Sequence, residues 1–286
     1  MTTQLESKVI KVPATTDAPT PVAASAAKTK RSLVPSGRTV TVLATQIVII
    51  VAFLVLWEIG ANKGWVNPLF VSQPSAVWDA LTDYITSAQM RSSLAATLTA
   101  VVQSFVIGSI SGIFVGCLIG TNEFLDRVFS PFLVPLNAVP RIALAPLFVA
   151  WFGLTGTSKV VMGVSIVFFL LVENSRSAVK GVDRDQMTMA KVVGLNKRQL
   201  MTKVILPSAV PTIFAGLRLA ITYAILGVIA SEMIAAKNGL GQDIVRYSSE
   251  FQINYVFAVL IVLAAIATFA SVGSSKLERR LLRWQD

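Results

Sequence analysis

The 286-residue chain contains no histidine, and its single cysteine, Cys117, stands inside an apolar run. Without histidine there is no imidazole for acid–base catalysis, for a metal site or for a Ser-His-Asp triad. A lone cysteine builds neither a disulfide framework nor a thiolate metal site. The sequence also lacks paired carboxylates and the GxxxxGK[ST] loop that cradles nucleotide phosphates. We therefore expect that the chain is not an enzyme and carries no catalytic residues, metal or cofactor.

Charged residues are scarce, at 14% of the chain, whereas 54% are hydrophobic. Together with a mean hydropathy of +0.68, these values are typical of a membrane protein with several spans. The net charge of +10 would suit a nucleic-acid-binding protein. However, the basic residues flank the apolar runs, where they orient a protein in a bilayer. We expect a lipid bilayer around the chain and no nucleic-acid partner.

Six apolar segments can be placed, which predicts an all-α integral membrane fold with six transmembrane helices. They cover residues 40–59, 98–119, 129–152, 160–172, 212–236 and 256–272. The fourth is short because Lys159 and Glu173 bound it. Between the first two, the apolar pattern of residues 67–90 suits either a helix at the membrane interface or an ordinary surface helix.

Three regions follow from this division. Residues 1–38 are rich in Thr, Pro, Ala and Lys and are predicted to be a disordered cytoplasmic tail. Residues 39–275 would form the membrane domain, and residues 276–286 a basic C-terminus. Most of the 25 Lys and Arg residues fall on one side of the six segments, the side that holds both ends and the loop between spans four and five. The positive-inside rule places that side in the cytoplasm.

Small residues recur every four positions along the second segment, at Gly108, Gly112, Gly116 and Gly120. Residues four apart share one helix face, so the glycines form a smooth groove that another helix can approach closely in lipid. Packing within the chain is the interpretation we favour. A subunit interface or a sliding surface is the alternative.

Three charged residues within the spans are candidates for a translocation pathway. Arg141 stands between Pro140 and Pro146 in the third segment, where prolines free backbone carbonyls that are tolerated beside protein or a water-filled cavity. Arg218 and Glu232 lie on the fifth segment, and ionisable groups at membrane depth are functional candidates by default. Snorkelling to the interface or structural ion pairing would also account for them.

The loop from Asp183 to Pro207 carries two helix-start signals. Asp183 and Asn196 each precede a glutamine by three positions, a variant of the capping box. We therefore predict a short helix over residues 184–193, a turn at residues 194–196, and a second helix that starts at Lys197 and enters the membrane through Pro207. Met187, Ala190, Val193 and Gly194 are predicted to lie on one side of the short helix. The helix could insert into a groove on a partner or lie flat on lipid.

This loop resembles that of the permease subunits of bacterial ABC importers, which follow a Glu-Ala-Ala, Gly, Ile-x-Leu-Pro pattern. Gly194, Leu206 and Pro207 match it at the family's spacing, whereas Thr188 and Met189 replace the Glu and the first Ala, and only Ala190 is kept. The chain is most similar to the nitrate/sulfonate/taurine branch. The matching segments are Gln73-Pro74-Ser75, PRIALAPLFVAWFG (140–153), GVDRDQ (181–186), VILPSAVPTIFAGLR (204–218), Ser231-Glu232-Met233 and Gly239-Leu240-Gly241.

The resemblance implies a type I importer transmembrane domain in a bacterial inner membrane. It implies a second permease copy as a homodimer, two cytoplasmic ABC ATPases, an extracytoplasmic solute-binding protein, and a small, mostly anionic solute such as nitrate, bicarbonate, a sulfonate, taurine or an aromatic acid. The residues expected to couple to the ATPase are Asp183, Arg184, Met187, Ala190, Lys191, Gly194, Leu195, Asn196 and Pro207. The main alternative is a secondary transporter driven by an ion gradient.

Overall fold

A computed structural model describes residues 37–281. In this part of the chain the regular structure is helical throughout, as predicted. Its α-helices are α1 (Gly37–Asn62), α2 (Pro68–Val71), α3 (Pro74–Thr86), α4 (Ala88–Thr121), α5 (Glu123–Ala138), α6 (Ala145–Phe152), α7 (Gly156–Lys180), α8 (Arg184–Val192), α9 (Lys197–Leu200), α10 (Leu206–Ala235), α11 (Leu240–Ser249) and α12 (Ile253–Leu281). A 3₁₀ turn (Arg141–Leu144) precedes α6, and a π turn (Met201–Ile205) precedes α10.

The chain divides into two units at Val51. The described part of the first is the beginning of α1, whose side chains from Thr41 to Val51 are exposed. The second begins at Ala52 and holds the end of α1 and all the other helices. The predicted tail, residues 1–38, lies almost entirely outside the described residues. Helix α12 continues to Leu281, past residue 275, where we predict that the membrane domain ends.

Within residues 37–281, five helical segments are long and apolar enough to cross a membrane: those of α1, α4, α7, α10 and α12. A sixth span is available if α5 and the 3₁₀–α6 segment, which meet at a bend of 82°, count as one crossing. The bend follows from Pro140, because the residue before a proline is disfavoured in helical conformation. Val139 is accordingly extended, with φ −64° and ψ 123°.

The relative direction of α4 and α7 decides how the bent pair is counted. Gly108 lies against Val167, and Gly120 lies against Val179, so the two helices run parallel. A chain that leaves α4 at one end and enters α7 at the other must cross the bundle in between. The bent pair makes that crossing, so the described chain supplies six spans.

The four glycines of α4 lie in the seam between these parallel helices. An added Cβ at Gly112 would stand 2.6 Å from the carbonyl oxygen of Phe168, and one at Gly116 would stand 2.5 Å from that of Val172. Real Cβ atoms do not approach backbone oxygens so closely. The glycines therefore allow α7 to approach α4 backbone to backbone, the close contact that small residues permit in lipid.

The fourth span is longer than the sequence predicts. We place it between Lys159 and Glu173, yet α7 runs from Gly156 to Lys180 and holds both charges inside the helix. The difference arises because both charges have partners: Lys159 pairs with Glu232, and Glu173 pairs with Arg176. A paired charge costs far less in an apolar environment than an isolated one.

The region of residues 67–90 is also more buried than a helix that lies on a membrane surface. One face of α3, with Ala80, Leu81 and Tyr84, packs against α11 and α12. Trp78 and Ile85 on the other face stay exposed. Its amphipathic pattern therefore reflects contact with protein on the apolar side.

Candidate functional site

The loop helix α8 is fixed at its start by Asp183, whose carboxylate accepts a hydrogen bond from the backbone N–H of Asp185 at 2.9 Å. The predicted partner in this cap, Gln186, has a different role. Its side-chain oxygen accepts a hydrogen bond from the hydroxyl of Ser208 at 2.9 Å. Ser208 belongs to α10, so Gln186 ties the loop helix to the fifth span.

The end of α8 is equally well defined. Gly194 has a φ of +75°, which favours glycine, and its N–H donates to the carbonyl of Lys191 at 3.0 Å. The N–H of Leu195 donates to the carbonyl of Ala190 at 3.1 Å, which completes a Schellman motif. Asn196 and Gln199 then cap each other's backbone N–H groups reciprocally, so the turn has little freedom.

The apolar residues of α8 divide between its two faces differently from the prediction, which groups Met187 and Ala190 with Val193 and Gly194. Ala190 is buried and Met187 is partly buried against the ends of α7 and α10. The apolar side chains that point away from the bundle are Met189, Val192 and Val193, which are 67%, 82% and 73% exposed. Their spacing of three and four marks one helix face, a signal that was available in the sequence.

Two depressions flank Met189. One, of about 320 Å³, lies between α8 and the start of α10, with Ala190, Lys203 and Val204 in its wall. The other, of about 350 Å³, follows the outer face of α8 past Asp185, Val192 and Val193. Met189 therefore stands as an apolar knob between two grooves. Of the predicted loop residues, Arg184 and Lys191 are exposed on α8, whereas Pro207 lies in the first turn of α10.

The predicted pathway residues are not brought together. Arg141 caps its own chain: its Nη2 donates to the carbonyl of Leu136 at 3.0 Å and to Oδ1 of Asn137 at 3.1 Å, and its guanidinium stacks 4.3 Å from the ring of Phe169. Arg218 forms an ion pair with Glu278 of α12 at 3.3 Å. Pro140 and Pro146 flank the 3₁₀ turn that carries Arg141.

Glu232 is fully buried near the end of α10, at the opposite end of the bundle from α8. Its carboxylate accepts hydrogen bonds from Lys159 at 3.1 Å, from the hydroxyl of Thr97 at 2.9 Å and from the N–H of Gly241 at 2.9 Å. The Lys159 ammonium also donates to the carbonyl of Asn238. Glu232 thus fastens α4, α7 and α10 to the segment that follows α10. It is a buried anchor here and is absent from the lining of the three cavities formed by residues 95–238.

The segment from Ala236 to Gly239 is held from its other side by α11. Asp243 in α11 is buried and accepts a hydrogen bond from the hydroxyl of Tyr84 at 2.6 Å and one from Gln89 at 2.9 Å. Burial, followed by the hydrogen bond to Asp243, raises the pKa of Tyr84 above its ordinary value. The phenol therefore remains a hydrogen-bond donor at every physiological pH.

A cavity of about 520 Å³ opens beside this anchor. Its apolar lining residues include Ala95, Ala96, Ala100, Leu154 and Val160. Its polar lining residues include Thr99, Gln103, Lys159, Lys237 and Asn238. Sequence reasoning missed both lysines, since each reads as a charge that bounds a span. Among residues 37–281 no group of His, Cys, Asp and Glu is arranged to hold a metal ion.

The sequence from residue 108 to residue 283 matches the family described as "Binding-protein-dependent transport system inner membrane component". The chain belongs to this family. This family and the relatives below confirm the predicted resemblance to the permeases of ABC importers, of the sulfonate and taurine type.

The chain is 29% identical to the putative aliphatic sulfonates transport permease protein SsuC of Bacillus subtilis, over 82% of this chain and 84% of that protein. It is 31% identical to the formylaminopyrimidine transport permease protein ThiX of Halalkalibacterium halodurans, over 81% of this chain and 92% of that protein. Among solved structures it resembles an inward-facing MetNI methionine ABC transporter, with a TM-score of 0.58 and 18% identity over 66% of this chain and 94% of that one. The likeness shows a fold of the type I importer permeases, as predicted.

Proposed function

We propose that this chain is the permease subunit of an ATP-driven importer and that α8 is its contact with a cytoplasmic ABC ATPase. The observation that carries this proposal is the exposed apolar face of Met189, Val192 and Val193 on a helix whose two ends are capped. A helix with an apolar face suits insertion into a groove on a partner. A helix that served only to connect two spans would need no such rigid mounting.

One residue that departs from the family pattern belongs to the contact that we propose. Met189 stands where the pattern has an alanine, and it is the apolar knob between the two grooves of α8. The unbranched methionine side chain adapts to irregular surfaces. We infer that the ATPase partner receives this knob, and that Thr188 takes no part in a charged contact of the kind a glutamate would make.

The arrangement proposed for the membrane is two copies of the chain around one pathway, with both termini and α8 in the cytoplasm of a bacterium. An extracytoplasmic binding protein would deliver the solute, and ATP-driven closure of the ATPases would rock the spans as rigid bodies. A small organic anion is the solute that we propose. The sulfonate named for one relative and the lysines at the end of the bundle opposite α8 support this assignment.

The test is co-purification in mild detergent with the ATPase encoded beside the gene, followed by an assay of Mg-ATP hydrolysis and of solute uptake in vesicles. Met189→Asp should weaken ATPase retention about 30-fold, as expected for a residue at the centre of an interface. Met189→Leu, which keeps the apolar knob, is the matched control and should retain the ATPase.

Two results would contradict the proposal. If Met189→Asp kept the ATPase as firmly as the unaltered chain, α8 would not be the docking helix. If the unaltered chain retained no ATPase and moved solute on an ion gradient, the chain would be a secondary transporter.

A further inference from the structure

The cavity of about 520 Å³ at the Lys159 end of the bundle is lined by both apolar and basic residues. Helix α4 contributes the methyl groups of Ala95, Ala96 and Ala100, together with Thr99 and Gln103. Lys159 and Lys237 line the cavity from other segments of the chain. No carboxylate from residues 37–281 lines it. Its size falls within the range of about 300–1,000 Å³ that is usual for small-molecule sites.

Lys159 lines this cavity although it is only 5% exposed. An ammonium group has three N–H donors. Two of them are used, by the carboxylate of Glu232 and by the carbonyl of Asn238. The third has no acceptor among the residues that the structure describes. A buried donor without a partner is costly, and an anion in the cavity would supply the missing acceptor.

Lys237 gives the cavity its net charge. The charge of Lys159 is balanced by Glu232, which is fully buried behind it and does not reach the cavity. Lys237 is an exposed residue, and its ammonium has no hydrogen-bond or ion-pair partner within residues 37–281. The chain that carries Lys237 is fixed on both sides, by Glu232 and by α11. The cavity is therefore bordered by one positive charge that no carboxylate within residues 37–281 balances.

We propose that this cavity binds a small organic anion, with its acidic head between Lys159 and Lys237 and a short apolar body against the alanines of α4. A sulfonate or a carboxylate fits the head, because each offers several acceptor oxygens to ammonium donors. This inference rests on the proposed function in one respect: the anion is taken to be the transported solute, bound at the end of the chain that faces away from the ATPase. A lipid phosphate shares the chemistry of the head.

The test is calorimetric titration of the complete chain in detergent micelles free of phospholipid, with hexanesulfonate as the probe. Hexyltrimethylammonium, which has a similar body and the opposite charge, should not bind. Lys237→Gln should weaken hexanesulfonate binding about tenfold, a loss of about 1.4 kcal/mol. Ala96→Trp should abolish it by filling the cavity. Arg91→Gln removes an exposed charge from the same helix outside the cavity and should leave binding unchanged.

Equal affinity for hexanesulfonate in the unaltered chain, Lys237→Gln and Ala96→Trp would overturn the proposal, as would tighter binding of the cation. Displacement of hexanesulfonate by phosphatidylglycerol but not by short carboxylates or other sulfonates would overturn it as well, because the cavity would then be a lipid site. Loss of this binding site would leave the ATPase result at Met189 untouched. Conversely, a chain that binds the sulfonate but no ATPase would fail only the proposed function.

Discussion

Arg141 donates a hydrogen bond to the carbonyl oxygen of Leu136, the atom that Pro140 leaves without its usual partner. In a regular helix the N–H of residue 140 would bond to the carbonyl of residue 136, but proline has no N–H. The guanidinium supplies the donor instead, one residue further along the chain. The Arg141 side chain thus provides the hydrogen-bond donor that is missing where Pro140 breaks the third span.

Replacing Arg141 tests this relationship. Arg141→Met should lower the free energy of unfolding by about 0.5–1.5 kcal/mol, because the hydrogen bond to the exposed Leu136 carbonyl is lost. Arg141→Lys keeps a single donor and should lose less. The measurement is a thermal melt of the detergent-purified protein. Equal melting temperatures for Arg141→Met and the unaltered chain would show that water satisfies the carbonyl equally well.

The ion pair of Lys159 and Glu232 should behave as a unit. Glu232→Leu leaves a buried ammonium without its counter-charge, and Lys159→Met leaves a buried carboxylate. Each change alone should cost about 3–5 kcal/mol, whereas the double variant should recover much of that loss. A double-mutant cycle on melting temperature measures the coupling. Additive losses would mean that the two side chains act independently.

Gly116 tests the seam between α4 and α7. Gly116→Ala should destabilise the protein by about 1–3 kcal/mol, because its methyl group would press on the carbonyl of Val172. Gly273 on α12 is the matched control, since nothing lies within 4 Å of a Cβ added there. Gly273→Ala should be neutral or slightly stabilising in the same melt. A similar change in melting temperature for both variants would mean that the stability of the protein does not depend on close packing at Gly116.

Replacing Gly194 tests whether α8 needs a rigid turn at its end. Such a replacement should act only through the backbone conformation, because an added Cβ would meet no atom within 4 Å. Gly194→Val should be strained by its φ of +75°, at a cost of about 1–2 kcal/mol, whereas Gly194→Asn should be tolerated better. The readout is uptake per ATP hydrolysed in vesicles. We expect Gly194→Val to lower this ratio while the spans stay folded. An unchanged ratio would mean that α8 needs no rigid turn.

The helical spans and the loop helix were predictable because they follow from strong local signals. Apolar length indicates the spans, and Asn196 with Gln199 indicates the start of α9 as the structure has it. Gln186 shows the limit of such signals: its spacing from Asp183 predicts a cap, but Ser208, 22 positions away, takes its side chain. A local pattern carries no information about a partner that tertiary packing brings near.

The cavity lysines were not predictable for the same reason. Lys159 reads as the edge of a span, since an unpaired charge in an apolar segment is costly. Its pairing with Glu232, 73 positions later, removes that cost, and the helix starts at Gly156, four residues before the predicted span. Arg141 shows the converse, because a charge that suggests a pathway serves its own backbone. In each case the role depends on which acceptor the fold supplies.

Gln186 of α8 is hydrogen-bonded to Ser208 near the start of α10. A movement of α8 could therefore tilt α10, the fifth span. Its 30 residues give it a length of about 45 Å at 1.5 Å per residue. Ser208 and Glu232 are 24 residues apart on this helix, or about 36 Å, so a tilt of about 5° at the Ser208 end would carry Glu232 sideways by about 3 Å, about the length of a hydrogen bond. The segment with Lys237 and Asn238 is fastened to that end. If a movement of the loop helix tilts α10 in this way, Lys237 and Asn238 would move with the far end of the helix and change the shape of the lysine cavity.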